Sequence, residues 1–80
     1  MRGGLKVLSG KEVVAIFARF GFVNIGGTKH FKMRRMTPDG DETLVIPNHD
    51  PVAKGTLRAI FVQASRYVAQ GDLRPHFYNE

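Results

Sequence analysis

Histidine is the residue type whose ordinary pKa lies closest to neutrality, so it is the first place to look for proton transfer. The chain holds three, His30, His49 and His76, and no cysteine that could act as nucleophile, disulfide partner or thiolate ligand. His30 follows Gly26-Gly27-Thr28-Lys29 and opens a basic run, His30-Phe31-Lys32-Met33-Arg34-Arg35-Met36. If that run is extended, alternation places His30, Lys32 and Arg34 on one face and Phe31 and Met33 on the other. An imidazole beside cations on an open face suits a phosphodiester. It can take the proton of a ribose 2′-hydroxyl while the cations hold the phosphate and stabilise a pentavalent transition state. The same residues also fit a plainer reading, a solvated histidine on a basic strand.

His49 follows Pro47 and Asn48 in what reads as a loop. It could assist His30 as an acid, orient it, bind a phosphate, or simply hydrogen-bond its own turn. His76, beside Pro75, reads as structural or incidental. No His-x-x-x-His pair or cysteine pair marks a metal site, and Gly26-Gly27 lacks the Gly-Lys-Ser/Thr of a phosphate loop. Lys54-Gly55-Thr56-Leu57-Arg58 sets two cations at a helix start, where free amides suit phosphate. Solvated helix charge explains those two equally well.

The elements that must carry these residues are readable from spacing. Ser9-Gly10-Lys11-Glu12 is a capping-box pattern, and Val13, Ile16, Phe17 and Phe20 then form one apolar stripe. Gly21 stands at a helix stop, so a first helix is expected from about Ser9 to Phe20. Phe22 to Ile25 is a short β-branched run, ended by Gly26-Gly27-Thr28. Thr37-Pro38-Asp39-Gly40-Asp41 is turn chemistry between the basic run and Thr43-Leu44-Val45-Ile46, which Pro47 closes. That predicts an antiparallel hairpin. Leu57, Ile60, Phe61 and Ala64 repeat the helical stripe, with Val68 extending it, so a second helix is expected from near Ala53 to about Ala64 or beyond. The stretch 65–80 carries Leu73, Phe77 and Tyr78 around Pro75 and takes no firm assignment. The expected fold is α+β in the order α-β-β-β-α, a three-stranded antiparallel sheet with both helices on one face. The other sheet face is left for solvent or a ligand.

Eighty residues make one domain with one small core. Hydrophobic residues at 42% and charged residues at 24% exclude a disordered chain. The net charge is +5 and points to an anionic partner. Its placement is uneven: residues 1–36 carry eight cations against Glu12 alone, while residues 37–80 carry four against six acids. No stretch reaches the roughly 20 apolar residues of a membrane span, and the N-terminus lacks the apolar run of a secretory signal. The expectation is a cytoplasmic protein with no membrane association.

Taken in chain order, several segments form a recognisable set: Leu8-Ser9-Gly10-Lys11-Glu12-Val13-Val14, Phe20-Gly21-Phe22, Gly27-Thr28-Lys29-His30, Ile46-Pro47-Asn48-His49, Lys54-Gly55-Thr56-Leu57-Arg58-Ala59-Ile60 and Gln63-Ala64. The set resembles the HicA family of toxins from bacterial toxin–antitoxin pairs. The resemblance spans about Leu8 to Ala64, and the start of the first helix and Lys54-Gly55-Thr56-Leu57 are its most distinctive pieces. It implies a fold like a double-stranded-RNA-binding domain, and a metal-independent endoribonuclease that cleaves mRNA and stops translation. It implies no cofactor, and neutralisation by a cognate HicB-type antitoxin that covers the active site.

The family carries its catalytic histidine in a Gly-Ser-His or Gly-Ser-x-His pattern at the start of the second strand, which only His30 can match. Thr28 stands here for the usual Ser, and Lys29 occupies the slot where many members place the histidine itself. A one-residue offset on a strand reverses the face, so the direction of His30 is the feature to look for in the fold. The candidate site is therefore His30 as general acid/base with His49 as auxiliary. Gly27, Thr28, Lys29, Lys32, Arg34, Lys54 and Arg58 are the expected RNA contacts. A non-catalytic RNA-binding module of the same shape and a domain that binds an acidic protein are the alternatives.

Overall fold

The computed structural model of the protein describes residues 4–79. Helix α1 spans Gly10–Arg19, and both halves of the capping box form at its start. The Ser9 amide donates to Glu12 Oε1 at 2.8 Å, and the Glu12 amide donates to Ser9 Oγ at 3.1 Å. At the other end Gly21 adopts φ +90°, the left-handed conformation that a residue with a Cβ rarely takes. The Gly21 amide then reaches the Ala18 carbonyl and the Phe22 amide the Phe17 carbonyl, both at 3.1 Å. The Phe17 and Phe22 rings close this stop edge to face, 5.8 Å apart.

Strands β1 (Val23–Gly26), β2 (His30–Thr37) and β3 (Gly40–Pro47) form one antiparallel sheet in the order β1-β2-β3. Pro38-Asp39 makes the hairpin turn between Thr37 and Gly40, as the turn residues imply. The β2–β3 register pairs Phe31 with Ile46, Met33 with Leu44 and Arg35 with Glu42 on one face. Met33, Leu44 and Ile46 are buried there under Val13, Ile16 and Phe17 of α1 and Leu57, Ile60 and Phe61 of α2 (Lys54–Ala64). The sheet thus has one covered and one open face, the expected α+β arrangement.

The stretch left unassigned by sequence is a third helix, α3 (Gln70–Phe77). Leu73 and Phe77 face the core and are both 0% exposed. The Phe77 ring lies 5.8 Å from Phe17 and 5.5 Å from Phe61, so α3 ties α1 to α2. The N-terminal segment is fastened to its end: the Lys6 amide donates to the Phe77 carbonyl at 2.7 Å, and Leu5 pairs with Tyr78. No helix among the described residues is long and apolar enough to cross a membrane.

At Gly10 the start of α1 lies directly against the end of β3. The Gly10 amide donates to the His49 carbonyl at 2.8 Å, and a methyl group there would run into the Pro47 carbonyl oxygen. Backbone cannot yield as a flexible side chain does. Gly10→Ala is therefore expected to destabilise the fold by about 1–3 kcal/mol, read as a lower urea midpoint with an unchanged m-value.

Candidate active site

The β1–β2 turn is built by two glycines. A bulge at Ile25 brings the chain to Gly26 and Gly27, with φ of +152° and +99°, and the Asn24 side chain accepts from the Gly26 amide at 3.1 Å. A methyl at Gly27 would strike the His30 carbonyl oxygen, so only glycine lets the chain fold back this tightly onto the start of β2.

His30 is the first residue of β2 and is exposed on the open face of the sheet. Lys32 and Arg34 follow on that face, while Phe31 and Met33 turn to the core. At the usual strand rise their Cα atoms lie about 6.5 and 13 Å beyond that of His30. β2 thus begins with its histidine on the same face as Lys32 and Arg34. Thr28 and Lys29 are exposed in the turn.

Facing them, β3 contributes Val45 opposite Lys32, Thr43 opposite Arg34 and Asp41 opposite Met36. Asp41 is the one carboxylate on this face among the described strand residues. It approaches Arg34 to 3.7 Å at the end remote from His30.

The next cation along β2 behaves differently. Arg35 points to the helix side, where its Nε donates to Glu42 Oε1 at 2.7 Å and its two terminal nitrogens donate to the Phe20 and Tyr67 carbonyls at 2.8 Å. Its guanidinium also lies 4.8 Å from the centre of the Phe22 ring. Arg35 closes the chain ends that leave α1 and α2. Part of the N-terminal positive excess is therefore structural and unavailable to a ligand.

His49 sits in the β3–α2 loop, at the same end of the sheet as His30, since Pro47 is the register partner of His30. The Asn48 amide donates to the Lys29 carbonyl and Asn48 Nδ2 to the Thr28 carbonyl, both at 2.8 Å. Turn and loop are thus joined, and both imidazoles belong to exposed residues. His76 lies elsewhere, edge-on to the Phe20 ring at 5.5 Å.

Lys54 and Arg58 are not gathered with the strand cations. Both are exposed on α2, in the helical layer, and Arg58 shares an open outward groove with Val62 and Arg66. Lys54 opens α2, whose N-cap residue Ala53 provides no side-chain hydrogen bond.

The helices nevertheless share a polarity. α1 starts against His49 and ends at Arg35; the chain leaving α2 also ends at Arg35. Both helix N-termini, the positive dipole ends, therefore lie toward the His30 end of the molecule. Among the described residues no three His, Cys, Asp or Glu side chains come together as a metal-binding set.

A family model, the HicA toxin of bacterial toxin–antitoxin pairs, matches residues 10–65, from the first residue of α1 to just past α2. The chain belongs to the HicA toxin family. As a HicA-family protein it is the toxin half of a toxin–antitoxin pair, and an antitoxin is its partner. Comparisons with curated proteins and with solved structures returned no match. The HicA match takes in the glycine turn, His30 and the Pro47–His49 loop, and it stops before α3.

Two residues of this region escape a reading of the sequence. Asn48 was visible only as part of the Ile46-Pro47-Asn48-His49 segment, and its amide works across twenty positions. Arg35 looks like one more cation of the basic run, and period-two alternation is the signal that separates it from Arg34.

Proposed function

We propose that this HicA-family toxin is a metal-independent endoribonuclease that cleaves mRNA and so stops translation. His30 is its general acid/base and a HicB-type antitoxin its inhibitor. The observation that carries the reading is the position of His30: a glycine-built turn presents it on the open sheet face, in line with Lys32 and Arg34. In the reaction the imidazole takes the proton of a ribose 2′-hydroxyl, whose oxygen attacks the adjacent phosphorus. Lys29 and Lys32 hold the phosphate oxygens as their charge grows, and Arg34, further along the strand, holds a neighbouring phosphate of the same RNA. The bond from phosphorus to the 5′-oxygen breaks, and that oxygen takes a proton, with His49 as the auxiliary donor. The products are a 2′,3′-cyclic phosphate and a free 5′-hydroxyl. The turn residues Gly27 and Thr28 allow the strand to approach closely, and Lys54 and Arg58 extend the positive field around the helical layer.

The test is chemical. Purified protein in chelator is given a single-stranded RNA and its 2′-O-methyl counterpart. The RNA is expected to be cut to cyclic-phosphate ends and the methylated strand bound but left intact. Cleavage of the methylated strand would overturn the mechanism. Binding of both without turnover would identify a non-catalytic RNA-binding module. Binding should weaken steeply with salt, with a log–log slope of about −2 to −3.5 for three to five phosphate contacts on a single strand.

Asp41 opposes this field through Arg34. Asp41→Asn is expected to tighten RNA binding roughly 2- to 5-fold at low salt, the scale of an exposed ion pair, and the gain should vanish at high salt. Fluorescence anisotropy with a labelled oligonucleotide measures both.

A further inference from the structure

We infer that Asn48 is a positioning residue for His30, acting through the carbonyls of the β1–β2 turn; this rests on the assignment of His30 under Proposed function. The sheet ladder between β2 and β3 formally ends at the pair His30 and Pro47. Beyond it, one residue supplies both remaining rungs. The Asn48 backbone amide donates to the Lys29 carbonyl at 2.8 Å, and its side-chain Nδ2 donates to the Thr28 carbonyl at 2.8 Å.

The two accepting carbonyls belong to the two residues directly before His30. The turn arrives at them from Gly27, where φ is +99° and the chain folds back on the His30 carbonyl. Gly27 permits that path without selecting it, since glycine is the least restricted residue. Asn48 selects it. With the Thr28 and Lys29 carbonyls held, the backbone entering β2 has one course, and the His30 side chain leaves it in one direction.

The chemistry of the side chain matters. Any residue but proline would keep the Lys29 rung. The Thr28 rung needs a donor two bonds beyond Cβ, which asparagine has and aspartate, of the same shape, lacks. An aspartate carboxylate would face the Thr28 carbonyl as acceptor against acceptor. Because Asn48 and Thr28 are exposed, losing the bond costs little folding energy and acts chiefly on the geometry of the turn. Misplacement of an acid/base group by about 1 Å can lower turnover roughly 100-fold.

The experiment measures RNA cleavage by wild-type protein, Asn48→Ala, Asn48→Asp, His30→Ala and the double variant His30→Ala/Asn48→Asp. Both single Asn48 variants are expected to lower kcat about 10- to 100-fold with KM within about 3-fold. Their melting temperatures should fall by no more than about 5 °C. The double variant should be no slower than His30→Ala alone, because residues that act as one unit are not additive. The His30 imidazole resonances should shift or broaden in Asn48→Asp.

Wild-type kcat in both Asn48 variants, or a loss in the double variant equal to the product of the single losses, would overturn the role of Asn48. Full activity of His30→Ala would instead overturn the assignment of His30. The two failures are separate readings of one data set.

Discussion

Phe77→Ala is expected to destabilise the protein by about 3–5 kcal/mol, measured as a drop in the urea unfolding midpoint. Domains of this size are commonly stable by only about 5–15 kcal/mol, so the substitution removes much of what there is. The ring is 0% exposed and touches Phe17 of α1 and Phe61 of α2 at once. α3 has little of its own to hold it. It is eight residues long, contains Pro75, and Ala69 at its N-cap makes no side-chain bond. An isolated helix of that length does not persist in water. Leu73 and Phe77 are what keep it in place, and the Lys6–Phe77 hydrogen bond and the Leu5–Tyr78 bridge depend on it in turn. A wild-type midpoint for Phe77→Ala would show α3 to be an appendage.

That helix is also where the sequence was hardest to read, for the same physical reason. Helix α1 announces itself locally: a capping box, a stripe at 3.6-residue spacing and a glycine stop all lie within thirteen residues. The hairpin is equally local, since Pro38-Asp39-Gly40 breaks two alternating runs. α3 has no cap signal and carries Gly71 and Pro75, and it becomes a helix because aromatic rings distant in sequence receive Phe77. The site divides along the same line. The face of His30 follows from alternation with Lys32 and Arg34. The spacing likewise puts Lys54 and Arg58 at the start of the second helix, as found. The hold of Asn48 on Thr28 and the role of Arg35 at the helix ends come from tertiary structure alone.

His30→Ala is expected to lower the rate of RNA cleavage by about 10²- to 10⁴-fold, the usual contribution of a positioned acid/base group. The fold should be unaffected. His30 is exposed at a strand start, and the hydrogen bonds around it run through the backbone of Thr28 and Lys29. Substrate affinity should change by little, since Lys29, Lys32 and Arg34 keep their charges. The loss should therefore fall on kcat. His49→Ala is expected to lose less, because the 5′-oxygen can draw its proton from water at this exposed end of the sheet. A complete loss in His49→Ala beside an active His30→Ala would exchange the two roles.

The most direct measurement is a time course of single-stranded RNA cleavage in chelator by the wild-type protein and by His30→Ala, with binding of the same RNA followed in parallel. The expected result is cleavage by the wild type alone and equal binding by both. Undiminished cleavage by His30→Ala would contradict the central claim.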